Sequence, residues 1–161
     1  LRNLTFWSLG SLGAASWWQI AAVLPACLLI IVSAPFLMPT LNALLLGDSE
    51  ARHLGYDVER LKLFILLLTC SGAGAVVATS GVIGFIGLIA PHLSRLLVGP
   101  NHRYVIPISG LFGATLLTLA DMIARTIVVP AELPIGILTA LIGGPIFLWL
   151  LRQTGDRRLH A

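Results

Sequence analysis

The feature that most constrains this chain is a succession of long uncharged runs. A bilayer core about 30 Å thick takes roughly 20 apolar residues as helix. The sequence offers five such stretches, at about Trp17 to Met38, Leu63 to Ser80, Val82 to Val98, Val105 to Ala124 and Leu133 to Leu151. The first carries Pro25 and Pro35, which membrane helices tolerate as kinks, and the third reads as broken near Pro91. Of the 161 residues, 57% are hydrophobic and only 11% are charged. Soluble domains carry about 25% charged residues, so this composition cannot furnish a water-facing skin. Disorder is excluded as well, because it needs low hydrophobicity and high charge. The expectation is an all-α membrane protein with five transmembrane helices in one membrane domain over residues 1–161. The chain opens at Leu1 with neither Met nor a basic n-region, and it reads as a fragment or a processed chain without its own signal peptide.

The charges lie between the apolar runs, and their sign sets an orientation. Alternating spans gather Arg52, Arg60, Lys62, Arg95, Arg103, Arg152, Arg157 and Arg158 on one side, against Arg2 and Arg125 on the other. Basic loops stay in the cytoplasm. The 46–62 segment, the 99–104 loop and the C-terminus are therefore expected inside, and the N-terminus and the 125–132 loop outside. The same topology accounts for the net charge of +3 without nucleic acid as a partner. Only about Ser80 and Gly81 separate the second and third spans, which reads as a tight hairpin. Glycines at 72, 74, 81, 84, 87, 110, 113, 136, 143 and 144 read mainly as close helix packing.

Motifs for covalent chemistry are missing. The single lysine, Lys62, follows Leu61, so there is no phosphate-binding loop, and neither HExxH nor GxSxG occurs. The chain reads as no enzyme, and ATP hydrolysis, if it drives the protein, belongs to another chain. His53, His92, His102 and His160 share no ligand spacing, so neither a metal site nor a cofactor is expected; His92 reads as a cap for backbone freed by Pro91. Cys27 and Cys70 read as small buried hydrophobes. Asn3-Leu4-Thr5 matches a glycosylation pattern too short to carry weight.

Two polar features stand out. Asp121 and Arg125, four apart near the outer end of the fourth span, share a helix face and are expected to pair, leaving Arg125 donors for an external acceptor. Glu132 is a second charge at that surface. The segment Leu46–Lys62 holds Asp48, Glu50, Arg52, Asp57, Glu59, Arg60 and Lys62, seven of the 17 acidic and basic residues. Asp48 or Ser49 is expected to cap a short helix that Gly55 ends, and a second short helix is expected beyond Asp57. Such a helix–Gly–helix surface element is a shape that docks into a groove of another protein.

The blocks "WSLGSLGAASW" (7–17), "LGDSEARHLG" (46–55), "GVIGFIGLIAPHLSRLLVGPNHRYVIP" (81–107) and "LADMIARTIVVPAELPIGILTALIGGPIFLWLL" (119–151) resemble the FecCD-type permeases. These are the membrane subunits of ABC importers for iron-siderophores, haem and vitamin B12. The chain resembles their C-terminal half, helices six to ten of ten. The resemblance implies a multi-pass protein of the bacterial inner membrane and a homodimer of full-length permeases. An ABC ATPase would sit inside and a substrate-binding protein outside. It implies an ATPase-coupling loop at Glu50, Ala51 and Gly55, with Arg52 where other importers often have Ala. It implies that Arg125 meets a carboxylate of the binding protein, and that Pro91, Gly143, Gly144 and Pro145 lie near the translocation path. The competing readings are a truncated, non-functional permease fragment and an ion-coupled secondary transporter. The latter needs a carboxylate near the bilayer midplane, and Asp121 lies near an end.

Overall fold

The computed structural model describes residues 10–13, 16–127 and 134–159, with side chains as far as Leu148. Asn3, Glu132 and most of the 125–132 loop lie outside the described residues, as do the side chains of Arg152, Arg157 and Arg158. The described residues form helices and turns: α1 Trp17–Leu44, α2 Asp48–His53, α3 Val58–Ser80, α4 Ile86–Val98, α5 His102–Ile127 and α6 Ile135–Leu159. α1, α3 and α5 are long and apolar enough to cross a membrane, α4 is a shorter apolar helix, and α6 is apolar over its described side chains, Ile135–Leu148.

Local chemistry explains where α1 and α3 begin. Before α1, Ser16 and Gln19 form a reciprocal cap: Ser16 Oγ accepts from the Gln19 amide at 3.4 Å, and Gln19 Oε1 accepts from the Ser16 amide at 2.8 Å. α1 then runs through Pro25, Pro35 and also Pro39. α3 is capped by Asp57, whose Oδ1 accepts from the Arg60 amide at 3.2 Å.

The third expected span needs correction. α4 starts at Ile86, not Val82, and continues through Pro91 without a break. The interruption lies upstream, over Gly81–Phe85, where Gly81 has φ +73° and Phe85 has φ +66°. Thirteen residues make a helix about 20 Å long, well short of a 30 Å core. Ser80 and Gly81 are therefore not a two-residue hairpin; residues 81–85 form an irregular link, closed by the Ile86 amide donating to the Gly84 carbonyl at 2.8 Å, before α4 coils. Such backbone survives at membrane depth only under a cover of protein or water. Here the Gly10–Gly13 strip supplies part of that cover. Ser11 donates its amide to the Ser80 carbonyl at 3.0 Å, and the Gly10 carbonyl accepts from the Ile135 amide at 3.1 Å. A Cβ on Gly10 would come within 2.6 Å of the Val82 carbonyl oxygen, so only glycine allows this approach.

α4 and α5 pack most extensively against each other, and α5 also touches α1 and α6. Gly113 of α5 faces Ile86 and Ala90 of α4, where an added Cβ would sit in ordinary contact at 3.7 and 3.8 Å. At Gly143 the added Cβ would collide with Phe85, 2.3 Å from its Cβ. Gly74, Gly84, Gly87, Gly110 and Gly144 meet nothing within 4 Å, so packing within this chain does not account for them.

Little of the apolar surface is covered. The most apolar stretch of α1 has none of its residues buried. The chain exposes 11229 Å², against about 7,800 Å² for a soluble monomer of 17.2 kDa. Lipid or further polypeptide must cover the difference. Cys27 and Cys70 follow suit: both are free and exposed, not buried as expected, because they lie on faces of α1 and α3 that the rest of the described chain leaves uncovered.

Candidate functional site

Two polar clusters sit at opposite ends of the bundle. The first is built on α2. Gly47 precedes it with φ +112° and gives no side-chain cap, so neither Asp48 nor Ser49 is the capping residue; both lie inside the helix. Asp48 and Glu50 occupy the first turn, and Arg52 and His53 the last, which suits the helix dipole at both ends. Gly55, at φ +89°, turns the chain, donating its amide to the Arg52 carbonyl at 2.9 Å. The helix beyond Asp57 is no separate short helix. It is the first turn of α3, so the element is welded to a membrane-crossing rod.

Ala51 is the pivot of this cluster. It is fully buried between Ala43 of α1 and Val58 of α3, with Leu44 and Tyr56 packed around them. The Ala51 carbonyl accepts from the Tyr56 amide at 3.1 Å. Lys62 pairs with Asp48, Arg52 with Glu59 at 3.5 Å, and Arg60 with Asp57 at 2.9 Å. Exposed pairs contribute at most about 1 kcal/mol each. Lys62–Asp48 and Arg52–Glu59 tie α2 to the start of α3, while Arg60–Asp57 closes the first turn of α3 itself. Glu50 and Gly55 remain exposed, and Leu54 beside them is 62% exposed, an apolar knob on a charged surface. The sequence-predicted residues Glu50, Ala51 and Gly55 are thus brought onto one compact element in which only Ala51 faces inward.

The second cluster surrounds Arg125. Its Nε donates to Asp121 Oδ2 at 2.9 Å, the pair expected from their spacing. Its Nη2 donates to the Leu12 carbonyl at 3.4 Å, a contact across 113 positions that no local pattern announces. Below it Ala120 and Ala124 pack on Ile135 of α6, joined by Leu12, Leu117 and Leu138. Nearby, between α1 and the end of α3, a cavity of about 390 Å³ is lined by Ser11, Gln19, Val23, Leu24, Cys27 and Thr79.

A third group escaped the sequence reading. Asn42 in the last turns of α1 accepts, through Oδ1, from the His102 amide at 2.8 Å, with His102 Nδ1 at 3.0 Å. Its Nδ2 donates to Asn101 Oδ1 at 2.9 Å. The start of α5 is therefore capped by a side chain from another helix. His92 is half-buried and makes no hydrogen bond among the described residues, so its expected capping role is not seen. Also among the described residues, no three His, Cys, Asp or Glu side chains gather as metal ligands would.

The described residues, in helices joined by turns and short links, with three rods long and apolar enough to cross a bilayer, define a multi-pass membrane protein. The sequence model of the FecCD transport family matches residues 1–153, and the chain belongs to that family. It is 49% identical to the hemin transport system permease protein HmuU of Yersinia pestis, over 98% of this chain and 47% of that protein. To the vitamin B12 import system permease protein BtuC of Vibrio parahaemolyticus it is 42% identical, over 98% and 47%. To the Fe(3+)-citrate import system permease protein YfmD of Bacillus subtilis it is 39% identical, over 94% and 46%. A solved metal-chelate type ABC transporter in an inward-facing conformation superposes with a TM-score of 0.87 at 40% identity, covering 95% of this chain and 49% of that one. The chain spans about half the length of the curated relatives it matches.

Proposed function

We propose that this chain forms the C-terminal half of the permease of an ATP-driven importer for iron-siderophore, haem or cobalamin-type chelates in the bacterial inner membrane. The observation that carries the reading is the α2 element: a short helix outside the apolar rods, anchored by buried Ala51 and fused to α3. Lying on the cytoplasmic side assigned from basic residues, Glu50, Leu54 and Gly55 form the face that seats in a cleft of an ABC ATPase. Closure of the nucleotide-bound ATPase pushes on this face. Because α2 cannot tilt without moving the first turn of α3, the push becomes rotation of membrane helices and alternating access. The protein itself does no covalent chemistry.

On the outer side, Arg125 keeps donor capacity beyond Asp121 and Leu12 and meets a carboxylate of a substrate-binding protein. A bulky chelate needs a path between two permeases, so the working unit is a homodimer of complete permeases. The relatives named for hemin, vitamin B12 and Fe(3+)-citrate support this substrate class. A secondary transporter gains no support, since the Asp121 carboxylate is already engaged by Arg125. The test is affinity capture of the permease that contains this chain, with identification of its companions. Recovery of an ABC ATPase, and of a binding protein once the outer face is presented, is expected. Capture without an ATPase overturns the proposal in favour of a non-functional fragment.

A further inference from the structure

Apart from the ties inside the α2 element, every side-chain hydrogen bond joining distant parts of the described chain sits at one end of α5. Asn42 holds the His102 amide and Asn101 at the start of α5, and Arg125 holds the Leu12 carbonyl near its finish. α5 has 26 residues, about 39 Å, enough to join both faces of a bilayer. Its proline, Pro107, lies in the second turn, next to the Asn42 joint, and none interrupts the length beyond. Asn42 itself is placed for force transfer. Its carbonyl accepts from the Leu45 amide where α1 ends, and α2 begins three residues later.

We propose that Asn42 is a positioning residue that ties the α2 element to α5, so that displacement of α2 is carried along α5 to the Asp121–Arg125 pair at the opposite face. This rests on α2 being the ATPase-docking element. The physical reason is satisfaction of donors. The first amides of a helix have no partner inside it, and here the His102 amide depends on a side chain from α1. Separating α1 from α5 would take its acceptor from the part-buried His102 amide, while Asn101 Oδ1 would still accept from the Arg103 amide at 3.0 Å; the cost at His102 makes the two helix ends move as one. α1 and α5 also pack directly, less extensively than α4 and α5, and the polar joint adds a directional tie at their ends.

The test uses the permease containing this chain, co-expressed with its ATPase, in right-side-out vesicles. Cys27 and Cys70 are replaced by Ser, and Thr126→Cys, exposed near the end of α5, is labelled with a membrane-impermeant maleimide. Trapping with ATP and vanadate should change the labelling rate by about fivefold. Asn42→Leu, which keeps the size and loses both hydrogen-bonding functions, should reduce that change to less than about twofold. Asn42→Asp, which keeps the acceptor for His102, should restore it; a merely structural role for Asn42 would not be rescued in this way. Asn42→Ser serves in place of leucine should that variant fail to insert. A full nucleotide response in Asn42→Leu or Asn42→Ser overturns the joint alone. No response in the parent overturns the docking role of α2, and the joint with it.

Discussion

Arg125 donates its Nε–H to Asp121 one turn earlier and turns a second nitrogen to the Leu12 carbonyl, so one guanidinium pins α5 to the strip that leads into α1. Its side chain is still 48% exposed. The residue is at once a brace and an unfinished hydrogen-bonding surface, and the two roles respond differently to substitution.

Arg125→Glu sets two carboxylates four apart and abolishes both bonds. Affinity for the binding protein should fall about tenfold in dilute buffer and by much less in 0.5 M salt, because exposed charges are screened. Arg125→Lys keeps the charge and loses the forked geometry, so it should retain most of the affinity. Titration at two ionic strengths reads this out, and a loss independent of salt would assign Arg125 to bracing alone.

Gly55 carries φ +89° with open space where a side chain would go. Gly55→Ala therefore costs only backbone strain, about 1 kcal/mol. Gly55→Trp adds bulk to the docking face. The tryptophan variant should insert normally and lose substrate-stimulated ATP turnover, while the alanine variant keeps it. Equal turnover in both would remove Gly55 from the interface.

Ala51 is enclosed by Ala43 and Val58 with no room to spare. Ala51→Leu should overpack the joint by about 1–3 kcal/mol and spring α2 from α3. Limited proteolysis at the Arg52–Arg60 segment should then accelerate by about tenfold or more. An unchanged cleavage rate would show that α2 is held by its ion pairs instead.

Gly143 and Phe85 form a pair suited to a double-mutant cycle. Gly143→Ala collides with Phe85 and should lower thermal stability in detergent by about 1–3 kcal/mol. Phe85→Gly in the same background removes the Cβ that is struck first and suits the φ of +66°, so it should recover part of that loss, whereas strictly additive effects would mean that the two do not touch.

Much of this is legible in the sequence. Runs of apolar residues located the long helices, and the spacing of Asp121 and Arg125 announced their pair. Asp57 and Gly55 punctuated the polar segment correctly, since capping and positive φ are local matters. What was missed is not local. The break at Gly81–Phe85 was assigned instead to Pro91, because proline is the louder signal. Yet a proline early in a helix displaces few hydrogen bonds, and two glycines flanking Val82 and Ile83 mark the true interruption. The Asn42–His102 joint lies 60 positions apart in sequence and has no periodicity to betray it. Cys27 and Cys70 looked buried because apolar context means burial in water; in this chain it means a face turned outward.

A polypeptide with so much unclad hydrocarbon has no private melting temperature. Its thermal midpoint, measured alone, reports the detergent or lipid and the concentration of whatever else binds those faces. Stability of this chain is a property of company, and cells that make it without its companions should degrade it.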